Sequence, residues 1–325
     1  MYYNRTLCNE FSRLLEPNGE LRWLFNYVKG RCDLDFLIGK SGNKQWISVY
    51  RGLSRILTIK PVYKKPSKIK IDAANAYKEL APNIYGAKDL PYNFKDELDK
   101  LISIVEENEK FDRYYKNKKE GFYQNELSRR YGMFGLEDDE FVIVDKEAVI
   151  GYTDTAEKDK VYGKVQEGYK ELQTAISDWN AKEYGQKLDE KSIGNELDFL
   201  ALDKEGNILL IEYKHGTNTS GIYLSPLQIG MYYELFNGFP KEELHDSVNA
   251  MLKQKQEMGL INPNWKIPKI KGIIPVLIIS DYNDKSSSKD KYHNILEFVR
   301  EKKSNEFLSK IRTYNYTTQG GLEQW

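Results

Sequence analysis

The feature that most constrains the fold is the stretch NELDFLALDKEGNILLIEYKHG, residues 195–216, which reads as two apolar strands joined by a short turn. The second strand contains the run ILLI and then ends in Glu212, Tyr213 and Lys214. Charged side chains are rarely buried fully unless they are paired or bind a metal. This strand end therefore either emerges into solvent or carries a functional site.

The turn Lys204-Glu205-Gly206 predicts the register of this hairpin. A three-residue hairpin loop needs a residue in the left-handed region, which Gly206 supplies. Asp198 then lies opposite Glu212, and Glu196 lies opposite Lys214. Because side chains alternate along a strand, these four share one face. The residues expected on the other face, in a core, are Leu197, Phe199, Leu209 and Ile211.

Two carboxylates in this position should repel each other, at about 4 Å and an effective dielectric near 20 by roughly 4 kcal/mol. A divalent cation between them would turn repulsion into chelation, and carboxylate oxygens together with water are what Mg²⁺ or Mn²⁺ prefers. Lys214 beside the pair can hold a water or neutralise charge on a phosphate. The pattern favours phosphodiester hydrolysis. In the alternative, purely structural interpretation, Glu196 and Lys214 form only an ion pair.

The spacing of Asp198, Glu212 and Lys214 at the end of an apolar strand resembles the PD-(D/E)XK nuclease superfamily, with Leu197 in place of the proline. Downstream, SPLQIGMYYELF places Gln228 and Tyr232 four residues apart on one helix face. This pair resembles the QxxxY element of the RecB-like and lambda-exonuclease-like branch. The resemblance covers roughly residues 156–318.

The resemblance implies a restriction-endonuclease-like core and a nuclease that uses Mg²⁺ or Mn²⁺. DNA is the implied partner, with RNA as the other substrate left open, and end-processing enzymes are common in this branch. CRISPR-associated members hold an iron–sulfur cluster with four cysteines. Because this chain has two, Cys8 and Cys32, no iron–sulfur cluster is expected.

The resemblance also implies individual roles. It makes Asp198, Glu212 and the main-chain carbonyl of Tyr213 metal ligands. Lys214 positions water, and Gln228 holds Lys214 or the phosphate. A glutamate on the preceding helix often completes such a site, and here Glu171 is the candidate.

Several of these residues have a purely structural interpretation as well. Ser225-Pro226-Leu227-Gln228 reads as a helix N-cap, a first-turn proline and a capping-box glutamine. Tyr232 suits an apolar core, and Glu171 suits an exposed helix surface. A Glu-x-Lys triplet is common, since Glu301-Lys302-Lys303 is another one. The alternative function is a catalytically silent module that binds nucleic acid or a partner.

The segment Arg51–Lys70 carries seven basic residues and no acidic one. They are Arg51, Arg55, Lys60, Lys64, Lys65, Lys68 and Lys70. Such a run is either a phosphate-contacting arm or a solvated β edge that resists aggregation. Because the chain has 49 basic and 49 acidic residues, no global charge attracts nucleic acid. We expect this segment, together with Tyr232, to contact the substrate.

The apolar pattern along the chain predicts an N-terminal α+β substrate-handling region, residues 1–118, and a nuclease domain, residues 119–325. Strands are expected in four runs before residue 72, as a pair over 138–152, in GIIPVLIIS and in RTYNYTT. Helices are expected over 73–116, 156–182 and 290–310 and from Ser225 onward. This order favours an α/β class with a mixed β-sheet flanked by helices. GIIPVLIIS is too short to span a bilayer and the start lacks an apolar signal core, so we expect a cytoplasmic protein without membrane contact.

Overall fold

The computed structural model describes residues 1–62, 68–72, 78–79, 82, 90–112, 115–184, 193–194, 196–266, 269–303 and 310–325. Contacts between residues divide the chain into two compact units. We call Asn4–Lys146 with Asp246–Lys266 the N-terminal unit, and Met1–Tyr3, Glu147–His245 and Ile267–Trp325 the C-terminal unit. The domain boundary expected after residue 118 stays a prediction.

The described strands are β1 Leu34–Ser41, β2 Lys44–Arg51, β3 Ser54–Pro61, β4 Lys68–Asp72, β5 Leu90–Pro91, β6 Phe141–Ala148, β7 Leu197–Asp203, β8 Asn207–His215, β9 Gly272–Ser280, β10 Arg312–Thr317 and β11 Gly321–Gln324. The described α-helices are α1 Asn9–Ser12, α2 Arg22–Gly30, α3 Lys95–Glu107, α4 Glu109–Asp112, α5 Glu120–Ser128, α6 Thr155–Lys158, α7 Lys164–Tyr184, α8 Thr219–Asn237, α9 Lys241–Glu257 and α10 Ser288–Lys303. Single π-helical turns follow α5 and α6, at Arg129–Met133 and Asp159–Gly163.

The N-terminal unit contains an antiparallel sheet with the strand order β1-β2-β3-β4-β5. Its first four strands confirm the four strand-like runs read from the sequence. The turn between β1 and β2 contains Gly42 at a φ of +55°, a conformation that glycine adopts without strain. One face of the sheet packs into the core through Phe36, Ile38, Ile47, Val49, Leu57, Ile59 and Ile71.

The second sheet has the strand order β11-β10-β9-β8-β7-β6. β8 is parallel to β9, and β9 is parallel to β10, whereas β7–β8 and β10–β11 are antiparallel. Helix α8 packs on β8 and β9, and α7 and α10 pack on α8. The expected α/β class with a mixed sheet flanked by helices is confirmed, while a restriction-endonuclease-like core stays a prediction.

The register of the β7–β8 hairpin is the one that its turn predicts. Phe199 pairs with Ile211 and Leu202 pairs with Ile208, and Gly206 has a φ of +90°. Leu200 and Leu210 are as fully buried as the residues on the opposite face. The hairpin is therefore apolar on both faces along its middle, and it is polar at its turn, Asp203–Asn207, and at its open end, where β7 begins and β8 ends.

Two expectations about individual elements are wrong. The strand pair over 138–152 is one strand, β6, followed by an isolated bridge between Gly151 and Tyr2. Helix α8 begins at Thr219, six residues before Ser225. The helix expected over 156–182 is present as a continuous helical run, 155–184, that contains the π-helical turn Asp159–Gly163. No helix among the described residues is both long and apolar enough to cross a membrane.

Candidate active site

The open end of the β7–β8 hairpin brings Asp198 and Glu212 together. The backbone N–H of Tyr213 donates a hydrogen bond of 2.8 Å to Oδ2 of Asp198. Glu212 is fully buried at 0% exposure, whereas Asp198 is half-buried. Glu212 thus lies deep in the protein, and Asp198 lies nearer to solvent. The two carboxylates are close enough to interact electrostatically.

The electrostatics of this pair are unfavourable for two negative charges. Burial, and then the charge of Asp198, raise the pKa of Glu212 from 4.5 to about 8, while Lys214 acts to lower it. The ammonium of Lys214 donates to Oε1 of Glu212. The other oxygen, Oε2, is buried and makes no hydrogen bond of normal geometry among the described residues, and the closeness of the Asp198 carboxyl group raises the pKa of Glu212 further. A buried polar atom without such a hydrogen bond is rare in folded proteins.

Tyr213 lies between Glu212 and Lys214 in β8, and its side chain is completely buried. Its hydroxyl is hydrogen-bonded to the hydroxyl of Ser280, the last residue of β9. Strand alternation sends its two neighbours to the opposite face. The Tyr213–Ser280 contact therefore anchors the strand from behind while Glu212 and Lys214 face the site.

The structure overturns the capping-box interpretation of Gln228. Helix α8 begins at Thr219, and its N-cap is Asn218, whose side chain accepts a hydrogen bond of 3.1 Å from the Gly221 N–H. Gln228 thus lies in the helix interior, where no free N–H awaits a cap.

Pro226 is tolerated in this helix because of its neighbour. A proline removes the hydrogen bond to the carbonyl four residues earlier, here that of Ile222. The hydroxyl of Ser225 donates to this carbonyl at 2.7 Å. The Ser-Pro sequence that resembles a helix start is therefore a repaired helix interior.

Tyr232, one helical turn after Gln228, reaches the carboxylate pair. Its side chain is 2% exposed, and its hydroxyl makes no hydrogen bond of normal geometry among the described residues. Burial raises its pKa most, and the negative charges of Glu212 and Asp198 raise it further. The core interpretation of Tyr232 holds for its ring, whereas its hydroxyl belongs to the site.

Gly194, just before β7, leaves room for this helix face. A Cβ atom there would stand 2.9 Å from Nε2 of Gln228 and 3.7 Å from the hydroxyl of Tyr232. Such a Cβ would press on the Gln228 amide. Gly194 therefore lies directly against both members of the Gln-Tyr pair.

Tyr162 is a neighbour of the site that the sequence pattern does not reveal. It lies in the π-helical turn Asp159–Gly163 and affects the pKa of Tyr232. Its hydroxyl accepts a hydrogen bond of 3.0 Å from Nε2 of Gln166. Single π-helical turns inside helices are frequent at functional sites, but the apolar period marks Tyr162 only as part of a buried stripe.

The structure does not place Glu171 with the carboxylate pair. Its side chain is exposed on α7. Within the described ranges, no three residues among histidine, cysteine, aspartate and glutamate are grouped so that they could hold a metal. Two carboxylates, one with a buried oxygen lacking a hydrogen bond of normal geometry, still suit a hard cation, because Mg²⁺ keeps several waters and often takes only one or two carboxylates.

The basic segment Arg51–Lys70 is divided by the fold. Arg51 lies inside an ion-pair network with Asp33, Asp112 at 2.8 Å and Glu106 at 3.2 Å, and its side chain is 11% exposed. These three carboxylates offset the charge of Arg51 within the fold, which favours a structural role for it. Lys60 pairs with Asp72 at 2.8 Å.

The other basic residues of the segment differ in exposure. Arg55 and Lys70 are exposed, and Lys68 is half-buried. Lys64 and Lys65 lie outside the described residues. Comparisons with protein-family models, curated proteins and solved structures give no match.

Proposed function

We propose that the chain is a Mg²⁺-dependent nuclease that hydrolyses phosphodiester bonds in DNA. The observation that carries this proposal is the fully buried Glu212 beside Asp198, with a carboxylate oxygen that makes no hydrogen bond of normal geometry among the described residues. Placing two carboxyl groups together and burying one is costly unless a proton or a cation compensates. A site of this kind is typical of function rather than of stability.

In this proposal Asp198 and Glu212 bind the cation, with the main-chain carbonyl of Tyr213 as a third ligand. A bound Mg²⁺ supplies Lewis-acid chemistry, since it polarises a phosphoryl group and makes nearby water more acidic. The N–H of Tyr213 holds Oδ2 of Asp198. Asp198 is therefore kept in place beside Glu212 before any substrate arrives, which lowers the cost of assembling the site.

Lys214 supplies a positive charge where the reaction develops negative charge. Its ammonium is bound to Glu212, and its side chain is 12% exposed. A cation in a water-poor site interacts more strongly with a phosphate than it would in bulk solvent. We assign Lys214 the tasks of orienting the attacking water and stabilising the charge on the phosphate oxygens.

Gln228 and Tyr232 supply hydrogen-bond donors from the facing helix. The hydroxyl of Tyr232 is buried beside the side chain of Gln228, which acts to lower its pKa, and in this proposal it donates to a phosphate oxygen. The amide of Gln228 lies one helical turn earlier against Gly194. Together they would orient the phosphate that Lys214 contacts.

A plasmid-nicking assay with the unmodified chain in Mg²⁺ and in EDTA tests this proposal. We expect cleavage that requires Mg²⁺ and is lost in Asp198→Asn and Glu212→Gln, and we expect linear DNA to be degraded faster than closed circles. Equal rates on both substrates would make the enzyme an endonuclease. DNA binding without cleavage at any Mg²⁺ or Mn²⁺ concentration would refute the nuclease and identify a silent binding module.

A further inference from the structure

The N-terminal sheet carries a cavity of about 520 Å³ on the face opposite its hydrophobic core. The described residues that matter for its chemistry are Lys44, Trp46, Arg55, Thr58, Lys60 and Asp72. This volume is within the range of small-molecule sites, which combine an apolar lining with a few polar groups. None of the described residues that line this cavity belongs to the carboxylate site.

The aromatic part of this cavity is Trp46 in β2. Trp46 pairs with Gly39 of β1, and a Cβ atom on Gly39 would stand 2.0 Å from Cε2 of the indole. The indole therefore rests on the main chain of Gly39, where only a glycine leaves space for it. The ring remains half-buried and lines the cavity. It is a fixed aromatic surface that a ligand can reach.

Two of the three lining cations, Lys44 and Arg55, are not neutralised by the described part of the chain, whereas Lys60 is paired with Asp72. Among the described residues, neither Lys44 nor Arg55 has an ion-pair partner, and Arg55 is exposed. Asp72, the acidic residue of the lining, is bound by Lys60 and by Lys78, both at 2.8 Å. The cavity is thus left with a net positive charge, which suits an anionic ligand.

An aromatic surface beside uncompensated cations is the combination that binds nucleotides. Bases stack favourably on aromatic side chains, while Arg and Lys contact phosphates. The faces of the bases are covered in a duplex and accessible in a single strand. The favoured occupant is therefore an unpaired nucleotide.

We propose that this cavity binds an unpaired nucleotide of single-stranded nucleic acid, with the base stacked on Trp46 and the phosphates on Arg55 and Lys44. This inference rests on the proposed function for its choice of nucleic acid as the partner. It adds the substrate class, because a nuclease with such a site engages strands that are single-stranded or frayed.

Binding by the full chain in EDTA tests the inference without any cleavage. Fluorescence anisotropy is measured with labelled dT12 and with a 12-base-pair duplex at several salt concentrations. We expect tighter binding of dT12 than of the duplex. Arg55→Ala should weaken binding of dT12 and reduce its salt slope by about 1, since one fewer counterion is released. Arg13→Ala removes an exposed arginine of the same unit that does not line the cavity, and is the matched control.

Substitutions of Trp46 test whether a base stacks on its indole ring. Trp46→Ala should weaken dT12 binding roughly tenfold and leave duplex binding within twofold. Trp46→Phe, which keeps an aromatic ring, should retain most of the affinity but lose the quenching of tryptophan emission that dT12 causes. Unchanged quenching in Trp46→Phe, or Arg55→Ala equal to Arg13→Ala, would overturn the inference.

The two proposals fail separately. Mg²⁺-dependent plasmid cleavage with dT12 binding that does not depend on Trp46 would refute only the nucleotide site. Binding of dT12 that depends on Trp46, in a protein that cleaves nothing, would refute only the nuclease.

Discussion

The N–H of Tyr213 donates a hydrogen bond of 2.8 Å to the carboxylate of Asp198. The backbone pairing of β7 with β8 extends to Phe199 and Ile211, and one residue further the side chain of Asp198 takes an N–H of β8. The bond links the first residues of β7 to the last residues of β8. It holds the Asp198 carboxylate beside Glu212, so the backbone pairing of the two strands, rather than a free choice of rotamer, sets the distance between the two acidic groups.

Asp198→Asn should abolish cleavage without unfolding the protein. The asparagine oxygen still accepts from Tyr213, whereas the negative charge that attracts a cation is gone. We expect activity to fall at least about 100-fold, with a melting temperature in EDTA close to that of the unmodified chain. Plasmid nicking and thermal denaturation measure the two effects.

Glu171→Gln is the matched control for this charge removal. Glu171 is exposed, so its variant should keep cleavage within about twofold, in line with the small effects of surface substitutions. A loss as large as that of Asp198→Asn would instead show that Glu171 is a ligand, as the family resemblance implies.

Gln228→Glu should inactivate the enzyme while the helix stays folded. The new carboxylate would lie next to Tyr232, in a site that already holds Asp198 and Glu212, and would repel an anionic substrate. Gln228→Met removes the amide without adding charge, so it should lose less activity. Cleavage rates measure the loss of activity, and far-UV circular dichroism shows whether the helix stays folded. A stable and fully active Gln228→Glu variant would remove this residue from the site.

The hairpin could be predicted from sequence because its constraints are local. Gly206 fixes the turn, and a slip of one residue would move it away from the position that needs a positive φ. The pairing of Phe199 with Ile211 follows from this condition. The meeting of Asp198 and Glu212 follows in turn.

The features of the site that could not be predicted from the sequence depend on contacts between residues far apart in the chain, or on helix geometry that the apolar periodicity does not encode. Arg51 reads as a free cation until Asp33 and Asp112 surround it. Ser225 reads as an N-cap because the repair of a proline inside a helix uses the same dipeptide. Tyr162 approaches Tyr232 from a π-helical turn, which the apolar spacing does not mark.

The Ser225 hydroxyl should be energetically coupled to Pro226. In the unmodified chain, Ser225→Ala leaves the Ile222 carbonyl without its 2.7 Å donor, which should cost about 1–3 kcal/mol of the free energy of unfolding because Ser225 is fully buried. In a Pro226→Ala background, the restored N–H of residue 226 can pair with that carbonyl. Ser225→Ala should then cost less. Urea denaturation of the four proteins gives the coupling, and equal costs in both backgrounds would contradict this account.

The pH dependence of stability should report the state of Glu212. Its pKa is 4.5 in a model peptide and about 8 in the folded protein, because of burial and the nearby Asp198. Below 4.5 both states are protonated at this group. Between pH 4.5 and about 8 the folded state holds one proton more than the unfolded chain, so stability falls as pH rises, by at most roughly 1.4 kcal/mol per pH unit.

Glu212→Gln cannot titrate and should lack this contribution, so its stability in EDTA should decline less between pH 5 and 8. Mg²⁺ binds the ionised carboxylates, so its stabilisation of the unmodified chain should grow over the same range. Urea denaturation at pH 5, 6, 7 and 8, with and without Mg²⁺, measures both effects. Parallel curves for the two proteins in EDTA would show that Glu212 ionises normally and needs no cation to offset its burial.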